Sequence, residues 1–232
     1  MNRRLFITLA GLLLASMAGL RAADPQQSKA APAPAFAPVA DVAGLPCVLL
    51  IGDSISMGYT PPTRALLKDK ANVHRPPNNC SSTGYGLTML NAWLGTNTWD
   101  VIHFNFGLHD AKLPPEGVRH SPPEVYEKNL RELVKRLKAT GAKLIWATTT
   151  PVPNSGILAP NRRFGSVDQY NTIAKKVMDE NDVAIDDLNA AIAPHVGKLQ
   201  NPGDVHFNGA GSELLAQQVA ASILAALKAG AP

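Results

Sequence analysis

Ser54, His206 and Asp204 are the residues with which this chain could carry out acyl transfer. Ser54 stands in Gly52-Asp53-Ser54-Ile55-Ser56, directly after the apolar run Val48-Leu49-Leu50-Ile51. Such a run reads as a buried strand, and the glycine and small polar residues after it read as a sharp exit into a helix. A serine so placed lies at the carboxyl edge of a strand, where open α/β sheets hold their ligands. The N–H groups at a helix start can also stabilise an oxyanion there. The serine needs a base, and Gly203-Asp204-Val205-His206-Phe207-Asn208 offers one. Ser54 would attack an ester carbonyl, and His206 would take its proton and return it to the leaving alcohol. Asp204 would hold the imidazole tautomer and stabilise the imidazolium. Residues two apart in extended chain point the same way, which permits the Asp204–His206 contact. Two other arrangements stay open: Asp204 as a cap of the last helix, and a backbone carbonyl as the acceptor for His206.

Two more loops bring polar groups to the same edge. Asn78-Asn79-Cys80-Ser81-Ser82-Thr83-Gly84 follows a weak second strand, and Asn105-Phe106-Gly107-Leu108-His109-Asp110 follows the third. Backbone N–H groups of Ser54 and Gly84, with one side-chain donor from the third loop, would bind an oxyanion; one such donor is worth about 3–4 kcal/mol of barrier. Both His109 and Asn105 can supply that donor. Asp110 reads as an organiser of its loop. No Gly-x-Ser-x-Gly elbow frames Ser54, which argues against an α/β-hydrolase.

These loops need a scaffold, and the chain alternates strand and helix from Cys47 onward. Strands are expected at Val48–Ile51, Asn72–Arg75, Val101–Phe106, Leu144–Thr149 and Val183–Asp186. Ser121-Pro122-Pro123-Glu124 and Ser166-Val167-Asp168-Gln169 read as capping boxes. A last helix is expected from Gly209 to about Lys228. Five strands and about five helices in this order define a three-layer α/β/α sandwich with a doubly wound, five-stranded parallel sheet.

The blocks in their order resemble the GDSL/SGNH hydrolases over essentially the whole domain. Gly52-Asp53-Ser54-Ile55 looks like the family's first block, with isoleucine for leucine. Asn79 to Gly84 has the Asn-x-x-x-x-Gly spacing of the second, which makes Gly84 the oxyanion glycine by resemblance. Gly107-Leu108-His109-Asp110 stands for Gly-x-Asn-Asp, and Asp204-Val205-His206 for Asp-x-x-His. The resemblance implies a flavodoxin-like fold and a serine esterase without cofactor or metal. Asp53, Asn79, Gly107 and Asp110 would support the site. The chain departs from the pattern twice. His109 occupies the place of the oxyanion asparagine, and one residue is missing between Asp204 and His206. Exported relatives of this kind imply short acyl, acetyl-type esters on carbohydrate; lipid or aryl esters are the runner-up.

Residues 1–22 carry Arg3 and Arg4, an apolar stretch from Leu5 to Leu20 and a small-residue cleavage site, the three parts of a signal peptide, so the protein is expected in the periplasm or medium. Residues 23–45 read as an Ala/Pro-rich solvated linker, and 46–230 as the hydrolase-like domain. Loss of Arg3, Arg4 and Arg21 reduces the 22 basic residues to 19 against 18 acidic, a net +1. This near-neutral chain lacks the basic stripe of a nucleic-acid binder and the polybasic cluster of a membrane-surface protein. Cys47 and Cys80 are the two cysteines, placed by this topology at opposite sheet edges and so poorly set for a disulfide. His103 reads as a packed strand histidine, and Trp93, Trp99 and Trp146 as core or rim aromatics. Arg119, Arg162 and Arg163 lie in polar insertions and could meet an anionic or sugar ligand. Two further readings compete: an inactive exported glycan-binding module, and a metal-dependent phosphoesterase using Asp53, His109, Asp110, Asp204 and His206.

Overall fold

The apolar runs pair into one fully parallel sheet. The computed structural model describes residues 34–113, 121–153, 158 and 162–229. In chain order the elements are β1 (Cys47–Ile51), α1 (Ser54–Leu66), β2 (Asn72–His74), α2 (Thr83–Leu94), β3 (Val101–Phe104), β4 (Lys112–Leu113), α3 (Pro123–Lys138), β5 (Lys143–Ala147), β6 (Arg163–Phe164), α4 (Val167–Asp179), β7 (Ala184–Asp186), α5 (Leu188–Ile192), α6 (Val196–Leu199) and α7 (Gly209–Lys228). The main sheet has the order β2-β1-β3-β5-β7. The expected sandwich is therefore present, and its strand order reverses between β1 and β3. That switch point is where the loops after β1 and β3 part and leave a crevice.

Alternation along the strands divides the core. Val48, Leu50, Val101, Ile145 and Ala147 face α1, α5 and α7, whereas Leu49, Ile51, Ile102, Phe104, Leu144 and Trp146 face α2, α3 and α4. Burying each large aliphatic side chain is worth about 1.5–3 kcal/mol, so β1 and β3, covered on both faces, are held firmly under the site. Trp93, Trp99 and Trp146 are all buried, as the sequence implied. Cys47 opens β1 and Cys80 follows β2; both are free thiols.

The structure adds or alters several elements. β4 and β6 form a second, antiparallel pair that joins the insertions after β3 and β5. Two-residue strands are too short to show a periodicity. The Ser121 capping box is not formed: Pro122 is the N-cap of α3 and makes no side-chain cap bond. Ser121 is buried, and its hydroxyl serves the buried Asp110 carboxylate, which needs donors more than a proline-headed helix does. Ser166 does cap α4, accepting from Gln169 N. Residues 34–45, expected as solvated linker, are held on the domain instead. Val42 N donates to Asn72 Oδ1 at 2.9 Å, Asp41 meets His74 at 2.6 Å, and Phe36 lies 5.2 Å from the Arg75 guanidinium. The leader expected over residues 1–22 and residues 23–33 of the expected linker lie outside the described residues.

Candidate active site

Gly52 ends β1 where the chain turns sharply; a Cβ there would come within 2.8 Å of Ser56 Oγ and Cβ. Asp53 is buried and caps α1, accepting the Ile55 N–H at 2.9 Å. Ser54 is thereby fixed as the first residue of α1, with an N–H that has no partner in its own helix. No local sequence pattern announces the clamp beneath this turn. Arg75 is buried and donates to Gly52 O, Asn78 O, Ser56 Oγ and Thr60 Oγ1 at 3.1–3.3 Å. It ties the Gly52–Ser54 turn to the loop after β2, and Cys80 N adds a hydrogen bond to Gly52 O at 3.2 Å.

His206 reaches this turn from the far end of the chain. After β7, the short helices α5 and α6 lead into a loop pinned by Asn201 N–His206 O (2.8 Å) and Asn208 N–Leu199 O (2.9 Å). His206 Nε2 lies 2.8 Å from Ser54 Oγ, and His206 Nδ1 lies 3.0 and 3.1 Å from the two carboxylate oxygens of Asp204. The missing residue in this block thus leaves the contact intact. Asn208, not Asp204, caps α7, accepting from Gly211 N at 3.0 Å.

Asp204 has two further partners, the Val205 N–H at 2.7 Å and the Arg162 guanidinium. Burial pushes its carboxyl upward, but the His206 ring, the Val205 N–H and Arg162 outweigh it, and the group sits below its ordinary value. Arg162 is thus turned to Asp204, at the far end of the Ser54–His206–Asp204 chain. Its own N–H and carbonyl are held by Leu158 at 2.7 Å. Arg163 is exposed on β6, and Arg119 lies outside the described residues.

The third loop supplies the remaining candidates. Gly107 has φ +151°, and a Cβ there would run into Thr149 Oγ1, so the close approach excludes a side chain. Asp110 is fully buried and accepts from Thr83 N (3.1 Å) and Thr83 Oγ1 (2.5 Å), which locks the loop to the start of α2. Burial raises its carboxyl despite the Thr83 and Ser121 bonds. Asn105 uses both amide hydrogens, on Ala147 O (2.8 Å) and Thr149 Oγ1 (3.1 Å). His109 Nδ1 lies 3.2 Å from Ser81 Oγ, which leaves Nε2 as the other polar atom of the ring. Asn79 Oδ1 accepts the Ser81 N–H at 2.8 Å. Gly84 is exposed at the second position of α2, again with an N–H that has no partner in its helix.

Leu108, Val205 and Ile55 are the chain neighbours of His109, His206 and Ser54. They pack into one small cluster with Leu158, Val152 and Phe164. Val152, Leu158 and Phe164 also line a cavity of about 620 Å³ that includes Ser166, Asp168 and Asn189. Among the described residues no three His, Cys, Asp or Glu side chains gather as a metal-binding group.

Known proteins agree with this architecture. Residues 50–214 match the GDSL-like lipase/acylhydrolase family, and the chain belongs to that family. An arylesterase from Vibrio mimicus is 30% identical over 120 residues, covering 47% of this chain and 57% of the relative, so the chain matches little more than half that protein's length. The same fold occurs in a lipase/acylhydrolase from Enterococcus faecalis (TM-score 0.65, 24% identity, 77% of this chain and 95% of that one). It also occurs in an acetylxylan esterase from Geobacillus stearothermophilus (TM-score 0.64, 21% identity, 77% and 94%).

Proposed function

We propose that this protein is an exported serine esterase that removes short acyl groups, acetyl above all, from carbohydrate. The observation that carries the reading is the continuous chain from Ser54 Oγ through His206 to Asp204, with gaps of 2.8 and 3.0 Å. A hydroxyl within hydrogen-bond reach of an imidazole whose other nitrogen faces a carboxylate is an activated nucleophile. Ser54 attacks the ester carbonyl as His206 Nε2 takes its proton, and the oxyanion forms against the N–H groups of Ser54 and Gly84. His206 returns the proton to the leaving alcohol. Water, deprotonated by His206, then releases the acid from the acyl-serine.

His109 supplies the side-chain donor to the oxyanion. Asn105 is the weaker candidate because its two amide hydrogens are already used. The phosphoesterase reading is disfavoured in the same way. Asp53 caps α1 and Asp110 holds Thr83, so neither carboxylate faces a shared centre with His206.

Carbohydrate as the acyl carrier rests on the acetylxylan esterase among the structural neighbours and on the polar groups Ser166, Asp168 and Asn189 in the adjoining cavity. An aryl ester is the second reading, favoured by the Vibrio mimicus relative. Export rests on the leader in residues 1–22. Ser54→Ala tests the mechanism: hydrolysis of p-nitrophenyl acetate is expected to fall on the order of 10⁴-fold or more with unfolding unchanged. Full activity in that variant overturns the serine mechanism. Acetate release from acetylated xylan, measured beside aryl acetates, separates the two substrate readings.

A further inference from the structure

Ser81 takes no part in the acyl-transfer steps, yet its backbone conformation is unusual. Three non-glycine residues among those described have φ in the left-handed region: Asp69, Ser81 and Asp182. Asp69 and Asp182 lie in the turns that trail α1 and α4, where such a conformation closes a helix readily. Ser81 instead lies ahead of a helix, at φ +55°, in the loop over the nucleophile turn. A left-handed non-glycine residue costs about 1–2 kcal/mol, and serine lacks the advantage of glycine there. Its neighbours hold it in place: Asn79 Oδ1 takes its N–H at 2.8 Å, and Cys80 N is bonded to Gly52 O. The conformation brings Ser81 Oγ to 3.2 Å from His109 Nδ1.

A neutral imidazole carries one N–H, so it donates from only one nitrogen. A histidine in place of an amide can serve an oxyanion only if the hydrogen sits on the nitrogen facing the substrate. We propose that Ser81 is a positioning residue that donates its hydroxyl hydrogen to His109 Nδ1 and so holds the ring as the Nε2–H tautomer toward the oxyanion. The inference rests on the reading of His109 as oxyanion donor. It gives Ser81, at a position glycine would fill more easily, a role that needs its hydroxyl.

Ser81→Gly is the discriminating variant because glycine adopts φ +55° without strain and removes only the side chain. Stability should hold or rise, whereas kcat for p-nitrophenyl acetate should fall about tenfold with KM little changed. In nitrogen-15 correlation spectra the His109 ring should be the Nε2–H tautomer in the native protein and a mixture in Ser81→Gly. In a His109→Asn background the same glycine substitution should change kcat less than about twofold, since an amide has no tautomer to set. Unchanged kcat in Ser81→Gly, or a native Nδ1–H tautomer, overturns the role of Ser81. His109→Ala separates the two levels. Full activity there removes the oxyanion reading itself, whereas a slow His109→Ala beside a fast Ser81→Gly removes only the inference about Ser81.

Discussion

Besides the surface contact of His74 with Asp41, the described residues hold two histidine–aspartate pairs of nearly the same separation, one sealed in the core and one at the open edge of the sheet. His103 Nε2 lies 2.9 Å from Asp186 Oδ2, and both side chains are fully buried. His206 Nδ1 lies 3.0 Å from Asp204 Oδ2, with a third of the histidine and a quarter of the carboxylate side chain exposed. In each pair the carboxylate has a further donor, the Gln218 amide on Asp186 and the Arg162 guanidinium on Asp204. The difference lies at the far ring nitrogen. His103 Nδ1 has no hydrogen-bond partner among the described residues, and the ring packs edge-on against Tyr59. His206 Nε2 meets a serine hydroxyl at the sheet edge. A histidine–aspartate contact therefore does not make a base; a hydroxyl on the other nitrogen and an open side do.

Substitutions in each pair should have opposite consequences for activity and stability. Asp204→Asn should lower kcat by roughly 10²–10⁴-fold, because an amide cannot hold the same tautomer, while the unfolding midpoint moves little. Activity close to native would place the orienting acceptor elsewhere. His103→Ala should do the opposite. It strands a buried carboxylate in a cavity and should cost about 3–5 kcal/mol in chemical denaturation, with the specific activity of the folded fraction unchanged. A stable but inactive His103→Ala would mean that the buried pair takes part in the chemistry after all.

Arg162→Met should have the smallest effect, a loss of kcat/KM of about three- to tenfold that grows toward acid. The sign follows from the lowered Asp204 carboxyl. Its contribution is present above the unfolded carboxyl value of about 3.9 and is lost as pH falls through the lower folded value. Without the guanidinium that loss begins at a higher pH. A pH–rate profile identical to that of the native enzyme would reduce Arg162 to an anchor for its own loop.

Much of this was legible in the sequence because it is carried by local patterns. The run Val48–Ile51 followed by Gly52-Asp53-Ser54 already specified strand, turn and serine, and α7 begins at Gly209 as its apolar spacing required. Ser121 was misread because its local partner, the α3 cap, lost to a distant one, the Asp110 carboxylate. The donors to that buried carboxylate come from two other segments, and no window of sequence shows them together.

The site divides along the same line. Residue type and order alone determined the parallel α/β/α scaffold, the serine at the end of the first strand and the late Asp-x-His that could serve it. Only the tertiary structure turned Arg162 toward Asp204, occupied both amide hydrogens of Asn105 and set Ser81 against His109. Each of these is a contact between residues far apart in the chain. Such contacts depend on which strand edge and which loop the fold brings together, and on whether a ring nitrogen meets a hydroxyl or a wall of side chains. Periodicity, capping and turn chemistry act over a few residues and carry no information about either.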